Sequence, residues 1–227
     1  MAKKSSEEKR VRLSVGEFAL PVPRVGSIDS NSGYGRAREE GSEIHQRVQT
    51  RRKEEHENYR AEVTVSHEFC HDGYVFEVGG RMDGFFDEEP ARIEEIKSSF
   101  SPRELLSKLT ADHPYSLQLR TYGYFHWLKT DTVPELTFHL VSSRNFQGED
   151  HDVELDLVQY QAWLKLRLDE LAEEARQSEK RVARRRKLAQ GLTFPFEQPR
   201  TGQTELIAKI DQNLAVQNRM MLQAPTG

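Results

Sequence analysis

This 227-residue chain has one cysteine and two tryptophans, and no apolar run long enough to cross a bilayer. With Cys70 alone, no disulfide can form within the chain. A structural zinc or iron–sulfur centre is excluded as well, since each needs four ligands at a recognisable spacing. His67 and His71 flank Cys70 in SHEFCHDGY. Asp72-Gly73 there separates two alternating apolar runs and reads as a hairpin turn with the histidines at its mouth. Neither a secretory leader nor a spanning segment is legible, so the chain is expected to be intracellular, with no membrane partner.

The net charge is −4, unevenly spread. Residues 1–60 hold thirteen Lys+Arg against ten Asp+Glu, a net of +3. Residues 61–157 hold eight against nineteen, −11, and residues 158–227 twelve against eight, +4. An acidic centre suits a divalent cation and repels a bare polyanion, so backbone contacts to one would come from the flanks. Arg36, Arg38, Arg47, Arg51 and Arg52 form one candidate set, in which Arg47 and Arg51, four apart, share a helix face. The run from Lys180 to Lys187 forms another, although such runs are commonly solvated helix ends.

Inside the acidic centre lies GGRMDGFFDEEPARIEEIKSS, whose apolar alternation predicts two short strands joined by an acidic turn, placing Asp83 beside Glu95. Residues two apart on a strand share a face, so Glu95 and Lys97 project together while Ile96 turns into the core. Two carboxylates, with the Ile96 carbonyl as a third oxygen, form a hard donor set of the kind Mg²⁺ or Mn²⁺ prefers. An ammonium at Lys97 is placed to orient or deprotonate a water and to offset charge on phosphorus. Alone, an E-x-K on a strand is more commonly a solvated charge pair. His45, beside Ile44 and Val48 on a buried stripe, would alone be read as a structural histidine.

The ordered set changes that reading. Gly41-x-x-x-His45, Gly80-x-x-Asp83-Gly84, Glu95-x-Lys97 and Gln118-x-x-x-Tyr122 together resemble the RecB-type branch of the PD-(D/E)xK nucleases, which includes the exonucleases of CRISPR adaptation; the match spans about residues 37–142. The resemblance implies a restriction-endonuclease-like α/β fold, with a central mixed sheet flanked by helices and then a long helix. It implies metal binding by His45, Asp83 and Glu95, catalysis by Lys97 with Asp83 and Glu95, and DNA contact or site support by Gln118 and Tyr122. Cleavage would leave a 5′-phosphate and a 3′-hydroxyl. The family often carries a cysteine-held iron–sulfur cluster; with Cys70 alone, none is expected here.

Organisation follows from the periodicities. Residues 1–12 are expected as a disordered tail, 13–175 as the nuclease domain, 176–193 as a basic helical connector and 194–227 as a further segment. Strands are expected near 61–69, 74–79, 80–86, 91–97, 135–142 and 152–157. Helices are expected from Gly35, near 102–110, near 115–129 with Gln118 and Tyr122 on one face, and from Leu157 to about Leu188 with Leu157, Tyr160, Leu164, Leu168 and Leu171 on one stripe. The segment between Leu13 and Asp29, with Pro21 and Pro23, is expected to be extended or looped.

The last segment contains an R-x-x-Q, a helical stretch, the apolar Met220-Met221-Leu222 and a closing Ala224-Pro225-Thr226-Gly227. It resembles the start of an XPD/DinG-type superfamily 2 helicase. The resemblance assigns adenine recognition to Arg200 and Gln203 and the opening of a phosphate loop to Ala224, Pro225, Thr226 and Gly227. Such a loop needs a following Gly-Lys-Thr, so no ATPase activity is expected of these residues alone. The whole reads as the N-terminal piece of a nuclease–helicase of DNA repair, partnered by the missing motor. It is expected in the cytoplasm at the nucleoid, acting on single-stranded DNA or DNA ends, as an exonuclease rather than an endonuclease. A catalytically silent DNA-binding or docking module is the competing class.

Overall fold

The structure is a computed structural model that describes residues 9–20, 35–190 and 202–216. Its elements in chain order are β1 (Lys9–Ser14), α1 (Val15–Ala19), α2 (Gly35–Glu55), β2 (Tyr59–His71), β3 (Tyr74–Phe86) and β4 (Arg92–Ser99). Then follow α3 (Pro102–Lys108), α4 (Pro114–Thr130), β5 (Glu135–Ser142), β6 (Gly148–Val153), α5 (Leu157–Gln190) and α6 (Gln203–Ala215). The six strands make one mixed sheet linked in the order β1-β3-β4-β5-β6; β2 pairs one edge of β3, and β1 and β4 share the other. The fold is restriction-endonuclease-like. No described helix is long and apolar enough to cross a membrane.

The β2–β3 hairpin turns at Asp72 and Gly73, both at positive φ (49° and 80°), the conformation a two-residue hairpin needs. β3 continues through Gly79-Gly80 without a break, because Ser66 and Val65 of β2 pair opposite those glycines. The two strands expected over 74–86 are therefore one. Residues 9–12 belong to β1 and not to a disordered tail. Val11 and Leu13 pack on the core, β1 lies parallel to Tyr74–Gly79 of β3, and Arg10 and Arg12 pair with Glu68 and Glu77 at 2.7 and 2.9 Å. β6 begins at Gly148 and not near 152. Its sequence, GEDHDV, has almost no apolar pattern, because an edge strand is held by its backbone pairing to β5.

Helices cover both faces of the sheet. Ile44 and Val48 of α2 pack on Ile96 and Val141. On the other face Leu119, Tyr122 and Phe125 of α4 share the larger core with Phe76, Ile93, Leu136, Phe138 and Leu140. Tyr160, Leu164, Leu168 and Leu171 of α5 join them, the stripe that the helical spacing predicts, and the Tyr160 hydroxyl donates to Thr121 Oγ1 at 2.7 Å. Beyond Gln177 the chain forms a second unit, and the residues of α5 that belong to it are exposed.

α1 is only five residues long and relies on its ends. Ser14 and Glu17 form a reciprocal capping box, in which the Glu17 amide donates to Ser14 Oγ at 3.1 Å and the Ser14 amide to Glu17 Oε2 at 2.8 Å. At the other end the buried Arg167 of α5 donates to the carbonyls of Phe18 and Glu17 at 2.8 and 3.2 Å, satisfying acceptors that a helix C-terminus leaves open. Arg167→Met removes those donors while retaining bulk. It should lower the unfolding free energy in urea by about 2–3 kcal/mol, the scale of charge-assisted bonds. Leu166→Ala, at an exposed neighbouring position, should change it by less than about 0.5 kcal/mol. Equal effects of the two would show that the buried guanidinium does not hold α1.

Candidate active site

The site begins with a gap in the sheet. One edge of β3 pairs with β2 along its length, and the other is shared by β1, over Tyr74–Gly79, and β4, over Gly84–Phe86. Among the described residues, none pairs as a strand with residues 80–83 on that second edge. Asp83 fills the gap with its side chain, its Oδ2 accepting the Ile96 amide of β4 at 2.9 Å. The N–H and C=O of an extended residue point to the same edge, so the Ile96 carbonyl also faces the opening. Two glycines flank Asp83, each where a Cβ has no room. At Gly80 it would lie 2.7 Å from the Tyr122 hydroxyl oxygen, and at Gly84 2.7 Å from the Tyr59 ring.

α2 reaches the gap from above with His45 and Gln49, one turn apart and so on one face. His45 Nδ1 stands 3.7 Å from Asp83 Oδ1, beyond hydrogen-bond range. Gln49 Nε2 donates to the Asp83 carbonyl and to Glu62 Oε1, both at 2.9 Å, which fixes the backbone under the carboxylate.

From the other side β4 presents Glu95 and Lys97, and α4 presents Tyr115, Gln118 and Tyr122. Lys97 Nζ lies 2.5 Å from Glu95 Oε1 and 4.6 Å above the Tyr115 ring. Gln118 Nε2 donates to the same Glu95 oxygen at 2.9 Å, and the Tyr122 hydroxyl donates to the Arg81 carbonyl at 3.1 Å. The structure therefore brings together His45, Asp83, Glu95, Ile96, Lys97, Gln118 and Tyr122. Gln118 touches a site carboxylate directly, whereas Tyr122 supports the β3 backbone beside it.

The electrostatics leave a demand for positive charge. Glu95 is 1 % exposed, and its Oε2 is buried with no hydrogen-bond partner among the described residues. Burial, opposed by Lys97 and reinforced by Asp83, pushes its carboxyl up to about 7. Burial also opposes the ionisation of Asp83, but His45, Lys97 and the Ile96 amide outweigh it and hold that carboxyl below its ordinary value. The Lys97 ammonium is likewise penalised by burial and rescued by Glu95 and Asp83, so it stays charged above the usual lysine range. A buried, unpartnered carboxylate oxygen near an ionised Asp83 supplies hard oxygen donors of the kind a divalent cation takes, and His45 stands beside Asp83.

A second cluster occupies the opposite face of β4. Glu94, His139 and Asp150 place potential ligand atoms within 4.8 Å of one another, a spacing suited to a metal ion. Arg52 already fills that role. Its guanidinium lies 2.7 Å from Glu94, 2.8 Å from Asp150 and 3.2 Å from His139 Nδ1, and an ion there would have to displace a buried cation. His139 and Arg52 together hold the Asp150 carboxyl far below its ordinary value. His139 Nε2 is buried without a partner, facing the backbone of Gly148, where a Cβ would stand 2.4 Å away.

This network was not legible in the sequence, and it corrects one expectation. Arg52 is buried and committed to Glu94 and Asp150, so it is not among the arginines available to a polyanion. Arg47 and Arg51 are exposed; Arg47 lies over the Phe146 ring at 4.8 Å, and Arg51 is 3.8 Å from Glu55. The Arg36 and Arg38 side chains, and Arg200, Ala224, Pro225, Thr226 and Gly227, lie outside the described residues. Gln203 opens α6 in the second unit. A signal for the hidden cluster did exist in Glu94-Glu95, since adjacent strand residues cannot face the same site.

No family model matches the sequence, nor does any curated protein. Solved structures do match. SSO0001 aligns with a TM-score of 0.52 at 18% identity, covering 77% of this chain and 80% of that one. An alkaline exonuclease from Laribacter hongkongensis aligns with a TM-score of 0.44 at 16% identity, covering 76% and 94%. The likeness to SSO0001 is one of fold.

The charge at Glu95 has a thermodynamic consequence. Folded Glu95 keeps its proton up to about pH 7, against 4.5 when unfolded, so its contribution is favourable at low pH and is lost as pH rises through about 7. In chelator, raising the pH from about 4.5 to 8 should shift the stability of wild type relative to Glu95→Gln by about 3 kcal/mol against the wild type. Mn²⁺ added at pH 8 should restore wild type and leave Glu95→Gln unaffected. Urea titrations give both numbers, and a difference that stays flat with pH contradicts the assignment.

Proposed function

We propose that this chain is a divalent-metal-dependent DNA nuclease that hydrolyses phosphodiester bonds at Asp83, Glu95 and Lys97. One observation carries the reading: two carboxylates from different strands and an ammonium converge at a gap in the sheet, with a buried carboxylate oxygen left unpartnered. Asp83, Glu95 and the Ile96 carbonyl would hold Mg²⁺ or Mn²⁺ with His45 beside them. When bound, such an ion supplies Lewis acidity toward a phosphate oxygen and lowers the pKa of a water.

The protein's own groups do the rest. Gln118 and Lys97 both take Glu95 Oε1, which orients the carboxylate and leaves its second oxygen free for the site. Lys97 is held protonated, so it serves as a donor that orients the attacking water and stabilises negative charge building on phosphorus, and not as the base. Gln49 and Tyr122 brace the β3 backbone on either side of Asp83, which keeps its carboxylate aimed across the gap. The reading extends to an exonuclease acting on single strands or DNA ends, as the N-terminal part of a nuclease–helicase of DNA repair. The order of the four motifs and the R-x-x-Q and APTG of the last segment support that extension.

End-labelled single- and double-stranded DNA should be cut in Mg²⁺ or Mn²⁺ and left intact in EDTA. Lys97→Ala should slow cleavage by about 10²–10³-fold, the scale of losing one positioned donor, with Mn²⁺ binding by calorimetry retained. Asp83→Ala should lose the metal-binding heat itself. DNA binding without metal-dependent cleavage by the wild type would instead favour the silent module.

A further inference from the structure

Where β4 ends, the chain leaves an aromatic ring in solvent. Phe100 is 70 % exposed, one residue beyond the strand that carries Glu95 and Lys97. The Arg144 guanidinium lies over its ring at 4.9 Å, and the Ser143 amide bonds the Ser99 carbonyl at 3.0 Å, tying the β5–β6 turn to the end of β4. Between them opens a cleft of about 640 Å³, lined by Phe100, Arg103, Arg144, Gln147 and Glu149, with Leu140 on its wall. Leu140 is the register partner of Lys97 in the β4–β5 pairing, so the cleft begins one strand spacing from the lysine. The same turn repeats the combination on its other side, where Arg47 of α2 covers Phe146, itself 51 % exposed.

We propose that this cleft binds the unpaired bases of a single DNA strand next to the phosphate being cleaved, with Phe100 as the stacking face and Arg144 as the backbone contact. The proposal rests on the nuclease reading and deepens it by assigning the substrate's bases to a cleft and a stacking residue of their own. Aromatic rings beside guanidinium groups at the edge of a basic groove are the physical elements of single-strand binding, because every base offers a π-face. Paired bases in a duplex keep their faces stacked and cannot offer them to Phe100. Arg103 and Arg144 outnumber the one carboxylate, Glu149, which leaves the cleft net positive within a strongly acidic region of the chain. A cleft of this volume falls in the range that encloses ligands of one or a few rings.

Fluorescence anisotropy tests the proposal, with labelled oligothymidylate and a matching duplex in Ca²⁺, used as a metal expected not to support cleavage. Phe100→Ala should weaken single-strand binding by about tenfold and duplex binding by less than about twofold, and Phe100→Trp should retain both. Arg144→Ala should lower the salt slope by about one phosphate contact. An oligothymidylate carrying abasic positions should bind wild type more weakly and show no further loss with Phe100→Ala. The proposal is overturned by equal affinities of wild type and Phe100→Ala for the single strand, by equal losses on single strand and duplex, or by no DNA binding at all. Cleavage in Mn²⁺ separates the two readings: an active enzyme with an indifferent Phe100 sinks the cleft alone, whereas an inactive wild type with Phe100-dependent binding sinks the hydrolytic role alone.

Discussion

The structure depends on β3 being longer than either strand that shares its second edge. β1 and β4 meet that edge from opposite ends and leave residues 80–83 uncovered between them. Unpaired backbone in the middle of a sheet is costly unless something else satisfies it. Here the Asp83 carboxylate takes the Ile96 amide, the Tyr122 hydroxyl takes the Arg81 carbonyl, and Gln49 takes the carbonyl of Asp83. These bonds stand in for a strand, and making them brings an acidic side chain into the sheet beside the backbone of β4. The site is thus the way this sheet closes its own interruption, and Gly80 and Gly84 are the residues that let the helices and strands come close enough to do it.

Charge is managed differently on the two faces of β4. Below α2, Glu94 is compensated by the buried guanidinium of Arg52, with Asp150 and His139 completing the network. Toward α4, Glu95 shares one oxygen between Lys97 and Gln118 and has no partner for the other. Burying a charge without full compensation is unfavourable, and proteins keep such groups chiefly where something else is to bind. The contrast between neighbouring glutamates distinguishes the two faces of β4 more sharply than the acidity of the whole region does.

Much of this was legible in the chain. Alternation around Asp83 and Glu95 predicted two adjacent strands, helical spacing placed Gln118 and Tyr122 on one face, and the stripe from Leu157 to Leu171 predicted the buried side of α5. What escaped reading has physical reasons. β1 was hidden because its charged residues carry the pattern of a solvated tail and only Val11 and Leu13 reach the core. β6 was displaced because an edge strand with sequence GEDHDV has no apolar alternation to detect. Arg52 looked like its neighbours Arg47 and Arg51, since one position along a helix decides between solvent and core, and only tertiary contacts reveal which. The Phe100 ring carries no periodic signal, because it lies after the strand ends.

The Glu94-Glu95 doublet makes β4 a strand in which a slip of one residue would leave the count of carboxylates facing α4 unchanged. Glu94 would replace Glu95 there, and the acidic look of the site would survive. The lysine would not, because Arg92 and Ile96 would then flank the carboxylate on that face and Lys97 would face α2. Of the three charged residues in this strand's centre, the cation alone reports the alignment. The five-residue link between β3 and β4, residues 87–91, therefore acts as a ruler, and a change in its length would be read out at Lys97.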